Sequence, residues 1–372
     1  MTNNGSKFSL TETNIVDLKG LKMKELVEFV ADMGEQPYRG RQLWSWIHEQ
    51  KADSFAVMTD LPIGFRNRLA ECATVKLMEQ REFCKSSTGM AAKFLFDVPG
   101  GGLIEAVYIS DGKRRTACLS SQVGCPLDCK FCATGKMGFF SNLTAAQIVD
   151  QLLRLQRYAD GQGERVSNIV MMGMGEPLLN YDQVTLALRI IRSQESGIGG
   201  RRITVSTAGY IPGIRRLARE DEINVGLAIS LNATTDETRT RLMPINRKFP
   251  LSELVTAARE FYERRGRRVT FEYVLMQDIT DGDDDAVRLA ALTNDFPCKI
   301  NVIPYNECIE AFVGKIEFKR PSKHRIKAFA DILKKNTYAT VTIRDSRGRD
   351  INAACGQLYR RVMKKSATDA KS

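Results

Sequence analysis

The chain has 372 residues, 43% of them hydrophobic, and a formal net charge of +11, long enough for a large core and two or three domains. No apolar run reaches the ~18 residues of a membrane span, and the opening MTNNGSKFSL lacks the basic-then-apolar pattern of a signal peptide. A membrane-embedded protein is therefore not expected. The expected setting is the cytoplasm, where clustered cysteines point to metal binding or catalysis rather than to structural disulfides.

In chain order, residues 23–50 carry apolar positions at i, i+3 and i+4 on both sides of a Gly34-Glu35-Gln36-Pro37 break. That pattern predicts two short helices of a small module packed around Trp44, Trp46 and Ile47. From about 74 to 110 the pattern shifts to alternating runs, AAKFLFDV and LIEAVYIS, joined by Pro99-Gly100-Gly101-Gly102, which predicts a hairpin or small sheet. From 115 to 355, β-branched runs recur: RTACLSS, NIVMMG, RITVST, VGLAISL, VTFEYVL, KINVIPY and TVTIRD. Amphipathic stretches separate most of them, the signature of a parallel sheet covered by helices. An open doubly wound sheet, a full barrel and a partial barrel all fit this order. Small and polar residues follow the runs, at Gly173 to Pro177, Ser206 to Gly209, Ser230 to Asn232, Tyr305-Asn306 and Asp345 to Cys355. In parallel α/β proteins ligands bind at those carboxyl ends.

Basic residues cluster at Lys113 to Arg115, Arg201-Arg202, Arg215-Arg216, Arg264 to Arg268, Arg344 to Arg349, and Arg360, Arg361, Lys364 and Lys365. One such run is an ordinary solvated face; an excess spread over several segments favours a polyanionic partner such as nucleic acid.

The segment CPLDCKFCATG holds three of the nine cysteines, Cys125, Cys129 and Cys132. A structural zinc site closes at four ligands, usually from two separated pairs. Here one tight loop supplies three, and the chain has only two histidines, His48 and His324. Three thiolates without a fourth ligand suit an iron–sulfur cluster with one iron open to a small molecule. Cys72, Cys84, Cys298 and Cys308 show no ligand spacing and are expected to be small core residues.

With Phe131 before its last cysteine, this loop resembles that of radical S-adenosylmethionine (SAM) enzymes. SSQVGCPLDCKFCATG, MGMGEPLLN, VSTAG, AISLNA, MPIN, DINAACGQL and the N-terminal PYRGRQLWSWI resemble the RlmN/Cfr family of RNA methyltransferases over most of the chain, more the RlmN branch than the Cfr branch. The resemblance implies an α/β fold: a partial (β/α)6-type radical SAM barrel at 113–358, a helical RNA-binding accessory domain at 1–72, a β-hairpin extension at 73–112 and a basic tail at 359–372. It implies a 4Fe-4S cluster on Cys125, Cys129 and Cys132, with SAM, two molecules per turnover, on the open iron. Gly175, Glu176, Ser206, Ser230, Leu231, Asn232 and Asn306 would hold SAM. Cys355 would carry a methyl group, Cys118 would release the methylated base from it through a Cys118–Cys355 disulfide, and Glu105 would accept a proton. The implied substrates are adenosine C2 in 23S rRNA and in tRNA beside the anticodon. The implied electron donor is a flavodoxin or ferredoxin, and the implied state a monomer. The chain departs from the family at Asn306-Glu307, where the family has Asn-Pro, and a longer stretch leads to the next helix. Two other readings stay open on the residues alone: a zinc-ribbon-like RNA-binding module, and a radical SAM enzyme acting on a small molecule or on C8.

Overall fold

The expected module, hairpin and strand–helix alternation appear in that order. The computed structural model describes residues 15–76, 78–193, 197–307, 318–344 and 346–358; the basic tail, Cys308 and most of the stretch after Glu307 lie outside them. The first unit contains β1 (Val16–Asp17), α1 (Met23–Asp32), α2 (Pro37–Trp44), α3 (Ile63–Cys72) and β2 (Ala73–Thr74). Pro37 opens α2 at a position where its missing N–H costs nothing. Gly40 lets α1 and α2 approach, since a Cβ there would lie 2.7 Å from Val27 Cα. Trp44 and Ile47 are buried, and Trp46 packs against the same core. β1 pairs in parallel with β2, Val16 opposite Ala73.

β3 (Glu79–Lys85), β4 (Ala91–Asp97) and β5 (Leu103–Asp111) follow as an antiparallel meander. Then come β6 (Arg114–Cys118), β7 (Gln122–Gly124), α4 (Ala133–Lys136), β8 (Phe139–Asn142), α5 (Ala145–Asp160), β9 (Asn168–Met171) and α6 (Tyr181–Ser193). The chain continues through β10 (Ile203–Thr207), α7 (Ile211–Ala218), β11 (Gly226–Ser230), α8 (Asp236–Leu242) and α9 (Leu251–Arg265). It closes with β12 (Val269–Leu275), α10 (Asp283–Thr293), β13 (Cys298–Pro304), α11 (Lys323–Asn336) and β14 (Thr340–Ile343).

One ten-stranded sheet runs β14-β13-β12-β11-β10-β9-β6-β5-β4-β3. Its β6, β9, β10, β11, β12, β13 and β14 are the seven β-branched runs, all parallel. Each crossover between them carries a helix that buries one face on the sheet. β6 also pairs antiparallel with β5, Val107 opposite Cys118, so the hairpin extends the barrel wall. The sheet stays open, with β14 and β3 at its two ends: a partial barrel. α5 starts on a capping box in which Thr144 and Gln147 satisfy each other's backbone N–H. A buried ion pair seats the N-terminal unit on α5: Lys19 Nζ lies 2.5 Å from Asp150 Oδ1, with both side chains almost fully enclosed. No described helix is long and apolar enough to cross a membrane. Cys298 is buried and Cys72, half-buried, packs against the core; Cys84 is half-buried on β3 and is not the core residue expected.

Candidate active site

A strand turns alternate side chains to opposite faces, and the inward column of each parallel strand lines the barrel at successive heights. Two cavities result. The lower, about 570 Å³, is walled by Thr116 and Cys118 on β6, Thr204 on β10, Thr270 on β12, Asn301 on β13 and Thr342 on β14, among others. The upper, about 170 Å³, sits at the strand carboxyl ends. Met172, Glu272, Arg344 and Cys355 line both and form the partition between them. Barrel interiors are ordinarily filled by Val, Ile and Leu. A lower column of threonines and asparagine instead forms a hydrogen-bonding receptacle.

The upper cavity gathers Cys125, Cys129, Cys132, Gly175, Glu176, Ser206, Ser230, Asn232 and Asn306. Leu231 is apart from them. It is fully buried and faces the opposite way, as alternation between Ser230 and Asn232 requires; only its backbone acts, donating to Glu272 O at 2.9 Å. Gly175 has φ +96, and a Cβ there would fall 2.5 Å from Gln122 Cβ, so only glycine fits. Glu176 is buried, and its two oxygens accept from Leu178 N at 3.1 Å and Ala208 N at 2.7 Å. Burial pushes its carboxyl up to about 7, against the pull of those N–H groups. Asn232, in the left-handed region at φ +58, accepts from Val274 N at 3.0 Å.

Burial pushes the three loop thiols up, Cys125 to about 12 and Cys129 and Cys132 in the same direction; neighbouring loop thiols add to the rise at Cys125 and Cys129, and Cys355 adds to it at Cys132. Such thiols become thiolates when a metal supplies the compensating charge. A single-metal site requires ligands closing on one point, and among the described residues no trio of His, Cys, Asp or Glu does so. A cubane takes one thiolate per iron, at wider spacing, and three soft donors on one cavity wall fit it. Arg239, with no exposed surface, lies within electrostatic reach of Cys129. It donates to Leu231 O at 3.0 Å, Ala208 O at 2.7 Å and Asn246 Oδ1 at 2.9 Å, tying several of the strand-end loops together.

The loop of Cys355 is anchored from several sides. Gly356 O accepts from Ala133 N in the cysteine loop at 2.9 Å. Asn306 Nδ2 donates to Ser346 Oγ at 2.9 Å and to Cys355 O at 3.4 Å. Asp350 accepts from Ser86 Oγ and Ser87 N at 2.8 Å each, which docks the loop on the hairpin. Cys355 is exposed and Cys118 buried, both as free thiols, so the implied disulfide is not formed here. Burial pushes Cys118 up to about 12; Cys355 adds to the rise and Arg344 opposes it. Glu105 lines neither cavity. It is buried on β5, on the same face as Ile109 of the lower wall, and pairs with Lys93 at 2.8 Å. Lys93 also reaches Asn352 O at 3.4 Å.

Sequence reasoning missed Glu272, Asn301, Met172 and Arg239, and treated Arg344 only as a nearby charge. An acid at an inward position of VTFEYVL was the one available signal. Arg239, inside DETRTRL, reads as a solvated helix. The basic blocks divide: Arg215, Arg216 and Arg265 are taken up in ion pairs with Glu260, Asp182 and Asp221. Arg114, Arg201 and Arg202 stand exposed at the lower cavity.

Partial barrel, three-cysteine loop and glycine-lined upper cavity define a radical SAM protein, and the Radical SAM superfamily profile matches residues 119–290. Residues 16–75 match the ribosomal RNA large subunit methyltransferase N-terminal domain. The chain is 46% identical over 352 residues to a probable dual-specificity RNA methyltransferase RlmN of Moorella thermoacetica, covering 93% of this chain and 98% of that one. It is 42% identical over 348 residues to the dual-specificity RNA methyltransferase RlmN of Anaeromyxobacter dehalogenans, covering 92% and 91%. A crystal structure of a radical SAM methyltransferase from Sphaerobacter thermophilus superposes with a TM-score of 0.88 at 42% identity, covering 92% of this chain and 99% of that one. The chain belongs to the RlmN family of dual-specificity radical SAM RNA methyltransferases. Its cofactors are accordingly a 4Fe-4S cluster and SAM.

Proposed function

We propose that this enzyme methylates C2 of adenosine in 23S rRNA and in tRNA beside the anticodon, with Cys355 as methyl carrier and Cys118 as resolving thiol. The observation that carries this reading is the placement of the two sulfurs. Cys355 belongs to the partition and touches both cavities, whereas Cys118 lines only the lower one. A group on Cys355 can therefore be loaded from above and delivered below.

Cys125, Cys129 and Cys132 would hold the cluster, and Gly175, Glu176, Ser206, Ser230, Asn232 and Asn306 would hold SAM, with residue 231 contributing backbone alone. When bound, cluster and SAM supply one-electron C–S cleavage and hydrogen abstraction, driven by a flavodoxin- or ferredoxin-type donor. An edge carbon of a stacked base is unreachable, so the adenosine must be extruded, and the polar lower cavity suits it. Arg114, Arg201 and Arg202 at its rim would take flanking phosphates, and the N-terminal unit would grip RNA further out. Glu105 would accept the C2 proton, approached along the β5 face. Once the adduct has given up one electron and the C2 proton, the Cys118 thiolate would attack the Cys355 sulfur as in disulfide exchange: the S–S bond forms as the S–CH2 bond to the base breaks, the departing carbon takes a proton to become the methyl group, and a thiol reductant reopens the disulfide. The raised Cys118 thiol must first lose a proton, which entry of substrate and water into the cavity would assist. The test is mass spectrometry of nucleosides from rRNA and tRNA of a cytoplasmic extract lacking the gene product. Loss of 2-methyladenosine supports the reading. Loss of 8-methyladenosine, or no loss, contradicts it.

A further inference from the structure

One acceptor in the partition is left open. Glu272 is 6% exposed. Its Oε1 accepts from Asn301 Nδ2 at 3.0 Å, and Asn301 Oδ1 accepts in turn from Thr342 Oγ1. The relay has a fixed polarity: hydroxyl to amide oxygen, amide nitrogen to carboxylate. Turning the Asn301 amide over would set oxygen against oxygen. The relay therefore ends at Glu272 Oε2, which is buried and has no hydrogen-bond partner among the described residues. Burial raises the Glu272 carboxyl; the charge of Arg344, which does not bond to that oxygen, and the Asn301 hydrogen bond oppose the rise and favour the ionised form. A buried acceptor without a donor is costly unless a ligand supplies one.

We propose that Glu272 reads the 6-position of the target base, its Oε2 accepting a hydrogen bond from the exocyclic N6 amino group of the extruded adenine. This rests on the adenosine reading above. An ionised carboxylate only accepts, and on an adenine ring N6 is the only donor, N1, N3 and N7 being acceptors. A 6-oxo purine would set acceptor against acceptor. SAM also contains an adenine, but the residues that orient this carboxylate stand on the lower side. On β12, Val274 lines only the upper cavity and Thr270 only the lower, with Glu272 between; Asn301 and Thr342 line only the lower one.

The test uses reconstituted holoenzyme and hairpin RNAs whose target nucleotide is adenosine or inosine, which keeps C2–H but carries oxygen at position 6. The wild type should prefer adenosine in kcat/KM by about tenfold or more, the usual discrimination of a buried base-edge contact. In Glu272→Gln, Asn301 Nδ2 still requires the side-chain oxygen, so the amide NH2 turns to the base. Preference should then shift at least about tenfold toward inosine, with inosine turnover itself rising. A merely structural residue would lower both substrates together. An unchanged adenosine-to-inosine ratio overturns the proposal, and so does weakened SAM binding at an unchanged ratio, which would place Glu272 on SAM. If the variant does not fold, the wild type decides with purine riboside, which lacks the 6-amino group: use as efficient as adenosine overturns the proposal, use as poor as inosine supports it. The position of the methyl group in the wild-type product reports on the C2 reading separately from these ratios.

Discussion

Asp150 and Glu272 are both enclosed carboxylates of the same barrel, and they differ in what their oxygens touch. Asp150 has no exposed surface; one oxygen faces Lys19 at 2.5 Å and the other Arg154 at 3.1 Å. Glu272 has one oxygen held by Asn301 and one without a hydrogen-bond partner among the described residues. The first closes a junction between two units of the fold. The second belongs to a side chain that lines both cavities. A buried charge with every acceptor engaged is architecture, and one with an unengaged acceptor on a cavity-lining side chain is a candidate receptor. Comparing the two separates stability from recognition without reference to any relative.

That contrast can be broken most forcefully at the junction. Asp150→Ala strands Lys19, 2% exposed, without its counter-charge, and removing one partner of a buried pair typically costs about 3–5 kcal/mol. Denaturant titration should show a loss of that order, and a loss below ~1 kcal/mol would erase the distinction. The same change should shift the Lys19 amine further down, since burial already lowers it and Asp150 is its main support.

Acid should act on the same junction next. Burial and the neighbouring Lys19 hold His48 neutral, with its imidazole pushed down to about 3. Below the ordinary value of 6.5 the unfolded chain takes a proton that the folded chain refuses, so stability falls as pH drops from about 6.5 toward 3. The slope from this one group approaches about 1.4 kcal/mol per pH unit. Thermal melts of wild type and His48→Gln between pH 4 and 7 check it: the variant should show a shallower acid slope.

Glu272→Ala should behave in the opposite sense to Asp150→Ala. It removes one acceptor without a partner together with the one that Asn301 occupies, so the stability loss should stay near that of one neutral hydrogen bond, about 1–2 kcal/mol and below that at Asp150, while activity on RNA falls sharply. A loss as large as that at Asp150 would mean that both carboxylates are architectural. The smallest expected effect is at the cavity rim. Replacing Arg201 or Arg202 by Ala should lower the slope of log affinity against log salt by about 1 each, while weakening all RNA sequences alike. Unchanged slopes would move the phosphate contacts elsewhere.

Much of this was readable in the sequence. Each β-branched run became one parallel strand, because buried parallel strands leave continuous apolar runs with turn chemistry after them. The cysteine loop was readable because its ligands are local in sequence. The partition was not. It joins Met172, Glu272, Arg344 and Cys355, which are spread along nearly half the chain, and periodicity tells which face a side chain takes but not which distant strand it meets. Leu231 illustrates the converse: a motif carried it into the site, and strand alternation turned it away. Arg239 was invisible because a fully enclosed arginine is rare enough that its helix reads as exposed.

The division of labour between Cys355 and Cys118 is tested most directly by trapping. Cys118→Ala and Cys355→Ala proteins, reconstituted with cluster and incubated with SAM, reductant and substrate RNA, are run on denaturing gels. The account predicts a covalent protein–RNA species that accumulates with Cys118→Ala and is absent with Cys355→Ala. Equal loss of activity in both, with no adduct in either, would contradict it.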